Sequence, residues 1–260
     1  MTLVSPLLRT EAVGVVLPVH NEQELLSASL RSLVDAFGQL REWELEAQLI
    51  VVLDSCSDAS EEIALEFAET CARGRRFVQL RVVTCKAKNV GYARGLGCSL
   101  LLSTWSHVDP SKVWIATTDA DSTVPLNWLT TQIVQHEAGA EHWSGRVKVN
   151  DWSEHRRETR RRWQREYEEE RRPIHGASLG FNAAAYRAVG GFQALKSGED
   201  RALHGALLDQ GKRGCYDSVT RVVTSARRQA RAPYGFAHAL DLINSSFRFR
   251  GPNESRERGH

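Results

Sequence analysis

Four short apolar runs, separated by stretches of helical periodicity, occupy the first 120 residues and restrict the chain to an α/β fold. The runs are Val13-Gly14-Val15-Val16-Leu17, Leu49-Ile50-Val51-Val52-Leu53, Val78 to Val83, and Val113-Trp114-Ile115-Ala116. A strand with one wet face alternates polar with apolar residues, whereas strands this apolar need cover on both faces. Strand, helix and strand in succession are the pattern of βαβ units in a mostly parallel sheet with helices on both sides. At 260 residues and 42% hydrophobic, the chain can bury such a core as one domain with additions.

The intervening helices are legible from their spacing. Asn21 followed by Glu24 has the pattern of a capping box, and Leu26, Leu30, Leu33 and Phe37 then recur on one helical face, so helix one is expected directly after strand one. Ser60 is a candidate cap for a second helix with Ile63, Phe67 and Cys71 inward. A third spans 92 to 105 through Leu96, Leu100 and Leu101, and Pro125 suits the first turn of a fourth over 125 to 138. Beyond 140 the rhythm breaks, which reads as an addition against the sheet edge rather than a repeat of the first half. Residues 154 to 172 interleave eight Arg with six Glu and offer only Trp163 and Tyr167 as large apolar groups. Such a segment is a helix exposed on most sides or one ordered only by ligand, a flap on which Trp152 or Trp163 could stack on a sugar or lipid-linked group. A further strand is expected from Ser218 to Val223.

The balance of 34 Lys plus Arg against 32 Asp plus Glu gives a net charge of +2, too little to draw the chain to nucleic acid or to an anionic membrane as a whole. The five cysteines lie more than ten residues apart with no C-x-x-C pair, so they read as reduced, mostly buried thiols. No signal peptide and no apolar stretch of membrane-spanning length is visible. The expected location is the cytoplasm or the periphery of the inner membrane face.

In open α/β sheets, ligands bind beyond the carboxyl ends of the strands. Strand one ends in Pro18-Val19-His20-Asn21-Glu22, strand two in Asp54-Ser55-Cys56-Ser57-Asp58, strand three leads to Asn89-Val90-Gly91-Tyr92-Ala93-Arg94, and strand four ends in Asp119-Ala120-Asp121. No G-x-G-x-x-G follows strand one and no G-x-x-x-x-G-K-[ST] loop occurs, which argues against a Rossmann dehydrogenase and a P-loop NTPase. A pyrophosphate held without a glycine cradle can instead be bridged by a hard cation, for which Asp119 and Asp121 supply oxygen ligands. Two aspartates in a turn are common by themselves. Their position after a buried strand and before a Pro-started helix is what points to metal. Asp54 reads equally as a turn residue, Asn21 and Glu22 as a helix cap, Arg94 as a solvated helix residue, and Glu199-Asp200 as acids favoured by a helix N-terminus.

Taken together, V-V-L-P-V-H-N-E at 15 to 22, V-V-L-D-S-C-S-D at 51 to 58, N-x-G-x-A-R at 89 to 94, D-A-D at 119 to 121, G-A-S-L-G-F-N at 176 to 182, G-G-F at 190 to 192 and G-E-D at 198 to 200 resemble the family 2 inverting glycosyltransferases, in order and over about 15 to 230. The resemblance implies a GT-A type fold. It implies that Pro18, Val19, His20 and Asp54 embrace a nucleobase, with Glu22, Arg94 and Ala120 in the same donor site. Asp119 would meet the ribose or the metal's water shell, and Asp121 would coordinate Mn or Mg on the diphosphate. Asp200, or else Glu199, would be the general base. Thr224 to Arg228 resembles the segment that closes over the diphosphate, which makes Arg227 a donor-site candidate. Two departures are Leu53, where many relatives have an Asp, and Gly95, where Asn is frequent. The implied organisation is an N-terminal extension (1–12), a nucleotide-sugar-binding half (13–124), an acceptor-binding and catalytic half of the same domain (125–250) and a disordered tail (251–260).

The reaction implied is metal-dependent transfer of a sugar from a UDP- or GDP-linked donor to an acceptor hydroxyl, the acceptor being left open between a small molecule and a lipid-linked group. Its rivals are a degenerate protein that binds the nucleotide sugar without turnover, against which Asp119, Asp121 and Asp200 speak, and a sugar-phosphate nucleotidyltransferase. The latter needs a Gly-rich basic loop after strand one, and residues 18 to 22 are not one. Processive polysaccharide synthesis is disfavoured, since neither membrane helices nor Q-x-x-R-W is present. His175, His204 and His238 are possible metal or substrate contacts, although a lone His is more often structural.

Overall fold

The computed structural model describes residues 8–74, 77–170 and 172–225. Its strands are β1 Ala12–Val19, β2 Glu46–Asp54, β3 Gln79–Cys85, β4 Val113–Thr117, β5 Ser122–Thr123, β6 His142–Val149, β7 Leu179–Asn182 and β8 Gly214–Thr224. The helices are α1 Leu26–Gly38, α2 Ser60–Arg73, α3 Val90–Thr104, α4 Trp128–Glu137, α5 Arg157–Glu169, α6 Ala183–Ala188 and α7 Glu199–Asp209. One eight-stranded sheet runs in the order β3-β2-β1-β4-β7-β6-β8-β5.

The first four strands are parallel, as their two-sided apolar sequences require. Alternate side chains of β1 point to opposite faces. Val13, Val15, Leu17 and Val19 join the core formed with α1, α2 and α4, whereas Val16 joins Ile50 and Val52 in the core under α3, α6 and α7. In α1, Leu26, Leu30, Leu33 and Phe37 are all fully buried along one row. Truncating any of these leucines to Ala would cost about 2–5 kcal/mol.

The second half extends the same sheet with a change of direction. β7 runs antiparallel to β4, β6 antiparallel to β7, and β8 parallel to β6. Within β8 the register jumps: Gly145 faces Asp217 but Arg146 faces Arg221. The three residues between loop out, with the Asp217 carboxylate accepting from the N–H groups of Val219 and Thr220. That interruption explains why only the end of β8 carries a strand-like sequence.

Three helix starts differ from the sequence expectation. α1 begins at Leu26 and not directly after β1, because Asn21 is left-handed (φ 55°) and its Oδ1 accepts from Ser57 N at 2.7 Å, tying the loop after β1 to the loop after β2 instead of capping a helix. Ser60 is the first residue of α2, and the side chain that accepts its N–H is Asp58. Pro125 lies just ahead of α4, with its carbonyl accepting from Trp128 N. Residues 157–169 form a helix whose Trp163 and Tyr167 pack inward. Neither Trp152 nor Trp163 is the free stacking platform expected: Trp152 is 8% exposed, and Trp163 stacks on Tyr167 at 4.6 Å.

Candidate active site

From β1 the chain proceeds outward to β2 and β3 and then returns to β4 on the other side of β1. In open α/β sheets the ligand crevice lies where the strand order reverses, which here is at the carboxyl ends of β1 and β4. Asn21 (φ 55°), Ser55 (φ 56°) and Lys88 (φ 49°) stand in left-handed backbone directly after β1, β2 and β3. Conformations this sparsely populated cost of order 1 kcal/mol or more each, and they cluster where a structure shapes a site.

The first wall of the crevice is organised by Asp54, which is 4% exposed. Its Oδ1 accepts from Ala87 N and Lys88 N, both at 2.8 Å, and from Ser55 Oγ at 2.9 Å. Its Oδ2 accepts from Asn89 N at 2.7 Å and keeps a second lone pair. Burial alone would raise this carboxyl, but the bonds from Asn89, Lys88, Ser55 and Ala87 outweigh it and hold Asp54 below the usual carboxylate range. Asn89 in turn caps α3, accepting from Tyr92 N at 2.9 Å. His20 Nδ1 lies 2.7 Å from the Asp54 carbonyl, the Cys56 thiol donates to the Val19 carbonyl, and Glu22 N donates to Ser60 Oγ. Pro18, Val19, His20, Glu22 and Asp54 thus lie along one wall. The Asp54 side chain is chiefly a clamp on the loop after β3.

The second wall hangs on Arg94, whose side chain is only 2% exposed. Nε donates to Glu199 Oε1 at 3.0 Å, Nη2 to Asp119 Oδ1 at 2.5 Å, and Nη1 to the Gly176 carbonyl at 3.1 Å and to Thr117 Oγ1. Burial would lower the guanidinium pKa, but Asp119, Glu199 and Asp200 outweigh it and raise it. A Cβ at position 176 would meet Arg94 Nη2 and push the pinned guanidinium off its partners. Arg94 therefore lies beneath Asp119 rather than on a solvated helix face. Sequence reasoning missed Thr117 and the dual service of Gly176. The second had a visible signal, the glycine that opens the 176 to 182 run.

Gly176 also donates its N–H to Asp200 Oδ2 at 2.8 Å. α7 begins after Gly198, whose φ of 76° favours glycine, and its first two residues diverge. Glu199 turns inward to Arg94 with a side chain 6% exposed, and burial raises its carboxyl against the pull of the guanidinium. Asp200 is half-buried and holds a position above Gly176. Burial pushes His175, next to this carboxylate, from its ordinary value near 6.5 down to about 4. His204 Nε2 lies 3.0 Å from Tyr216 Oη, in a structural contact.

Asp119 and Asp121 follow β4 with Ala120 buried between them. Ser122 Oγ donates to Asp121 Oδ1 at 3.2 Å. Among the described residues no cluster of three metal-ligating side chains occurs. The donor types still fit a hard cation: Arg94 occupies one oxygen of Asp119, Asp121 is a second carboxylate and is partly exposed, and diphosphate oxygens and water would complete the shell. Arg227 and His238 lie outside the described residues. No helix among the described residues is long and apolar enough to cross a membrane.

The family model for glycosyl transferase family 2 matches residues 14–193. No curated protein matches the chain. Among solved structures, S. aureus TarS 1-349 is similar at 14% identity and a TM-score of 0.57, covering 91% of this chain and 70% of that one. The mannosyltransferase PcManGT from Pyrobaculum calidifontis, in complex with GDP-Man and Mn2+, is similar at 17% identity and a TM-score of 0.58, covering 89% of this chain and 60% of that one. Glucosyl-3-phosphoglycerate synthase from Mycobacterium tuberculosis, in complex with Mn2+, UDP and phosphoglyceric acid, gives 14% identity and a TM-score of 0.55, covering 90% and 75%. At such identities the likeness concerns the fold, while the family match spans most of the chain and covers the site residues from Pro18 to Gly176, with Glu199 and Asp200 beyond it. The chain belongs to glycosyl transferase family 2 and is a glycosyltransferase of GT-A fold.

Proposed function

We propose that this enzyme moves a sugar from a UDP- or GDP-linked donor to an acceptor hydroxyl with inversion, using Asp200 as general base and a divalent metal at Asp121 and Asp119. The observation that carries the reading is the divergence of Glu199 from Asp200. Arg94 consumes Glu199, which leaves Asp200 as the carboxylate poised above Gly176 and tied through Gly176 and Arg94 to Asp119. The halves divide at about residue 124, with 13–124 holding the donor and 125–250 the acceptor.

In the proposed reaction the acceptor oxygen attacks the anomeric carbon as its proton passes to Asp200, and the bond from that carbon to the diphosphate oxygen breaks on the opposite face. A bound divalent cation would offset the charge that develops on the departing diphosphate. Pro18, Val19 and His20 would border the nucleobase, and the spare lone pair on Asp54 Oδ2 could accept a base N–H. The buried guanidinium holds Asp119 in place before the donor arrives, so that little ordering is left for the bound state. Structures of similar fold that hold Mn2+ with GDP-Man, or Mn2+ with UDP, support the donor class and the metal.

The test is calorimetry of UDP- and GDP-sugars with and without Mn2+, followed by donor hydrolysis, in which water stands in for the acceptor. Asp121→Ala should lose the Mn2+-dependent part of donor binding. Asp200→Asn should keep donor affinity and lower turnover by roughly 10²–10⁴. Glu199→Gln should lose less turnover and more stability. Parental turnover by Asp200→Asn beside an inactive but folded Glu199→Gln would exchange the two roles.

A further inference from the structure

The charges of α5 are ordered against the interest of the helix. Its first half carries Arg157, Arg160, Arg161 and Arg162, with Arg156 at the N-cap, and its last turn carries Glu166, Glu168 and Glu169 and no basic residue. A helix dipole favours acids at the N-terminus and cations at the C-terminus; Glu158 in the first turn meets that rule, but the arginines around it and the acidic last turn run against it. Residues four apart share a row. Arg157, Arg161 and Arg165 form one such row with Arg160 beside it, and like charges at this spacing cost a few tenths of a kcal/mol per pair. Glu169 continues that row four residues after Arg165, and Glu158 lies three before Arg161, but no ion pair among the described residues joins either to the row; in the next row Glu166 pairs with Arg162 at 2.7 Å. Arg157, Arg160, Arg161 and Arg165 are all exposed, and among the described residues none has a side-chain ion pair or hydrogen bond.

The third row decides what kind of partner this face suits. Thr159 and Tyr167 are buried, Trp163 packs on the core, and Tyr167 Oη accepts from Val147 N at 2.8 Å. A helix that binds a bilayer turns its apolar row outward to the lipid, whereas here that row is spent on the protein, and none of the exposed large hydrophobic residues lies on α5. The basic row fits a polyanion in water. The buried face of the same helix adjoins the site: the Tyr167 ring stands 5.5 Å from that of His175, and the next residue, Gly176, donates to Asp200. Exposed Arg201 adjoins Asp200. From Arg157 to Glu169 the helix offers a track about 20 Å long.

We propose that the arginine row of α5 binds an acceptor chain bearing repeated anionic groups, phosphate or carboxylate, and delivers its hydroxyl to Asp200. The delivery rests on the transferase reading above; the binding does not. The experiment uses the full chain with two probes, inorganic polyphosphate and poly-L-glutamate, and with phosphatidylglycerol vesicles against phosphatidylcholine vesicles. The parent should bind at least one of the two polyanions with an affinity that falls steeply with salt, as release of condensed counterions requires. The combined Arg157→Gln, Arg160→Gln, Arg161→Gln and Arg165→Gln variant should bind at least tenfold more weakly with donor affinity unchanged, and the corresponding four Lys substitutions should restore binding to within a few-fold. Gln and Lys are both good helix formers, so far-UV circular dichroism should match the parent. Equal polyanion affinity in the Gln variant would overturn the proposal, as would arginine-dependent binding of phosphatidylglycerol vesicles with no binding of either polyanion. Asp200→Asn separates the two readings: it should bind the polyanion like the parent even as it loses turnover.

Discussion

The guanidinium of Arg94 has exchanged water for Glu199, Asp119, Thr117 and the Gly176 carbonyl, and a side chain without its planar fork cannot serve all four. Arg94→Lys keeps the charge and loses at least two of these bonds, stranding one buried acceptor or the Glu199 carboxylate. Each unsatisfied group costs about 1–3 kcal/mol. We therefore expect a lower urea midpoint at unchanged m-value, together with a turnover lowered about tenfold or more because Asp119 and Asp200 lose a common anchor. A variant with parental midpoint and parental turnover would remove Arg94 from the centre of the site. The sequence placed Arg94 in the right motif and on the right helix, but its burial depends on acids 25 and 105 residues away, which no local pattern conveys. Asp54 has the same character: its position at a strand end was legible, while its donors come from a loop 33 to 35 residues on.

Elements were legible where one local rule governed them. β1, β2 and β4 are continuous apolar runs because helices cover both faces, and α1 shows its buried row outright. The four-residue β7, wedged antiparallel between β4 and β6, and the interrupted β8 answer to partners far off in sequence. α5 is the intermediate case, with helix formers plain in the sequence and a buried row limited to Thr159, Trp163 and Tyr167. With a short buried face and an acidic last turn, α5 should open locally more readily than α3, which buries Gly91, Ala93, Arg94, Gly97, Cys98 and Leu101. Amide hydrogen exchange in the free enzyme should run at least tenfold faster in residues 161–169 than in 95–103. Equal protection of the two helices would make α5 a fixed part of the scaffold and remove any role for it as a flap.

At the scale of the whole molecule, several imidazoles are buried within the structure that joins the two halves of the sheet. His142 on β6 meets His204 on α7 at 5.1 Å between ring centres, His204 reaches Tyr216 on β8, and His175 precedes the turn that carries Gly176. Burial lowers all three, with His204 and His175 each moved from near 6.5 to about 4. A His depressed in the folded state stays neutral there while the unfolded chain takes up a proton, so between these two values the unfolded state binds more protons. Stability then rises with pH, is fully present above about 6.5, and is lost as pH falls toward 4. Each such imidazole contributes a slope of up to about 1.4 kcal/mol per pH unit. Asp54 is lowered below the usual carboxylate range, so its own loss belongs to more acid conditions and does not blur this window. Urea unfolding between pH 7 and 4.5 should therefore show a steep fall in stability beginning near pH 6.5. His204→Gln keeps a polar group within reach of Tyr216 and removes one titrating site, so its slope should be shallower by close to one proton. If the variant follows the parental slope across the whole range, His204 is not titrating in this window and the acid sensitivity lies with other groups.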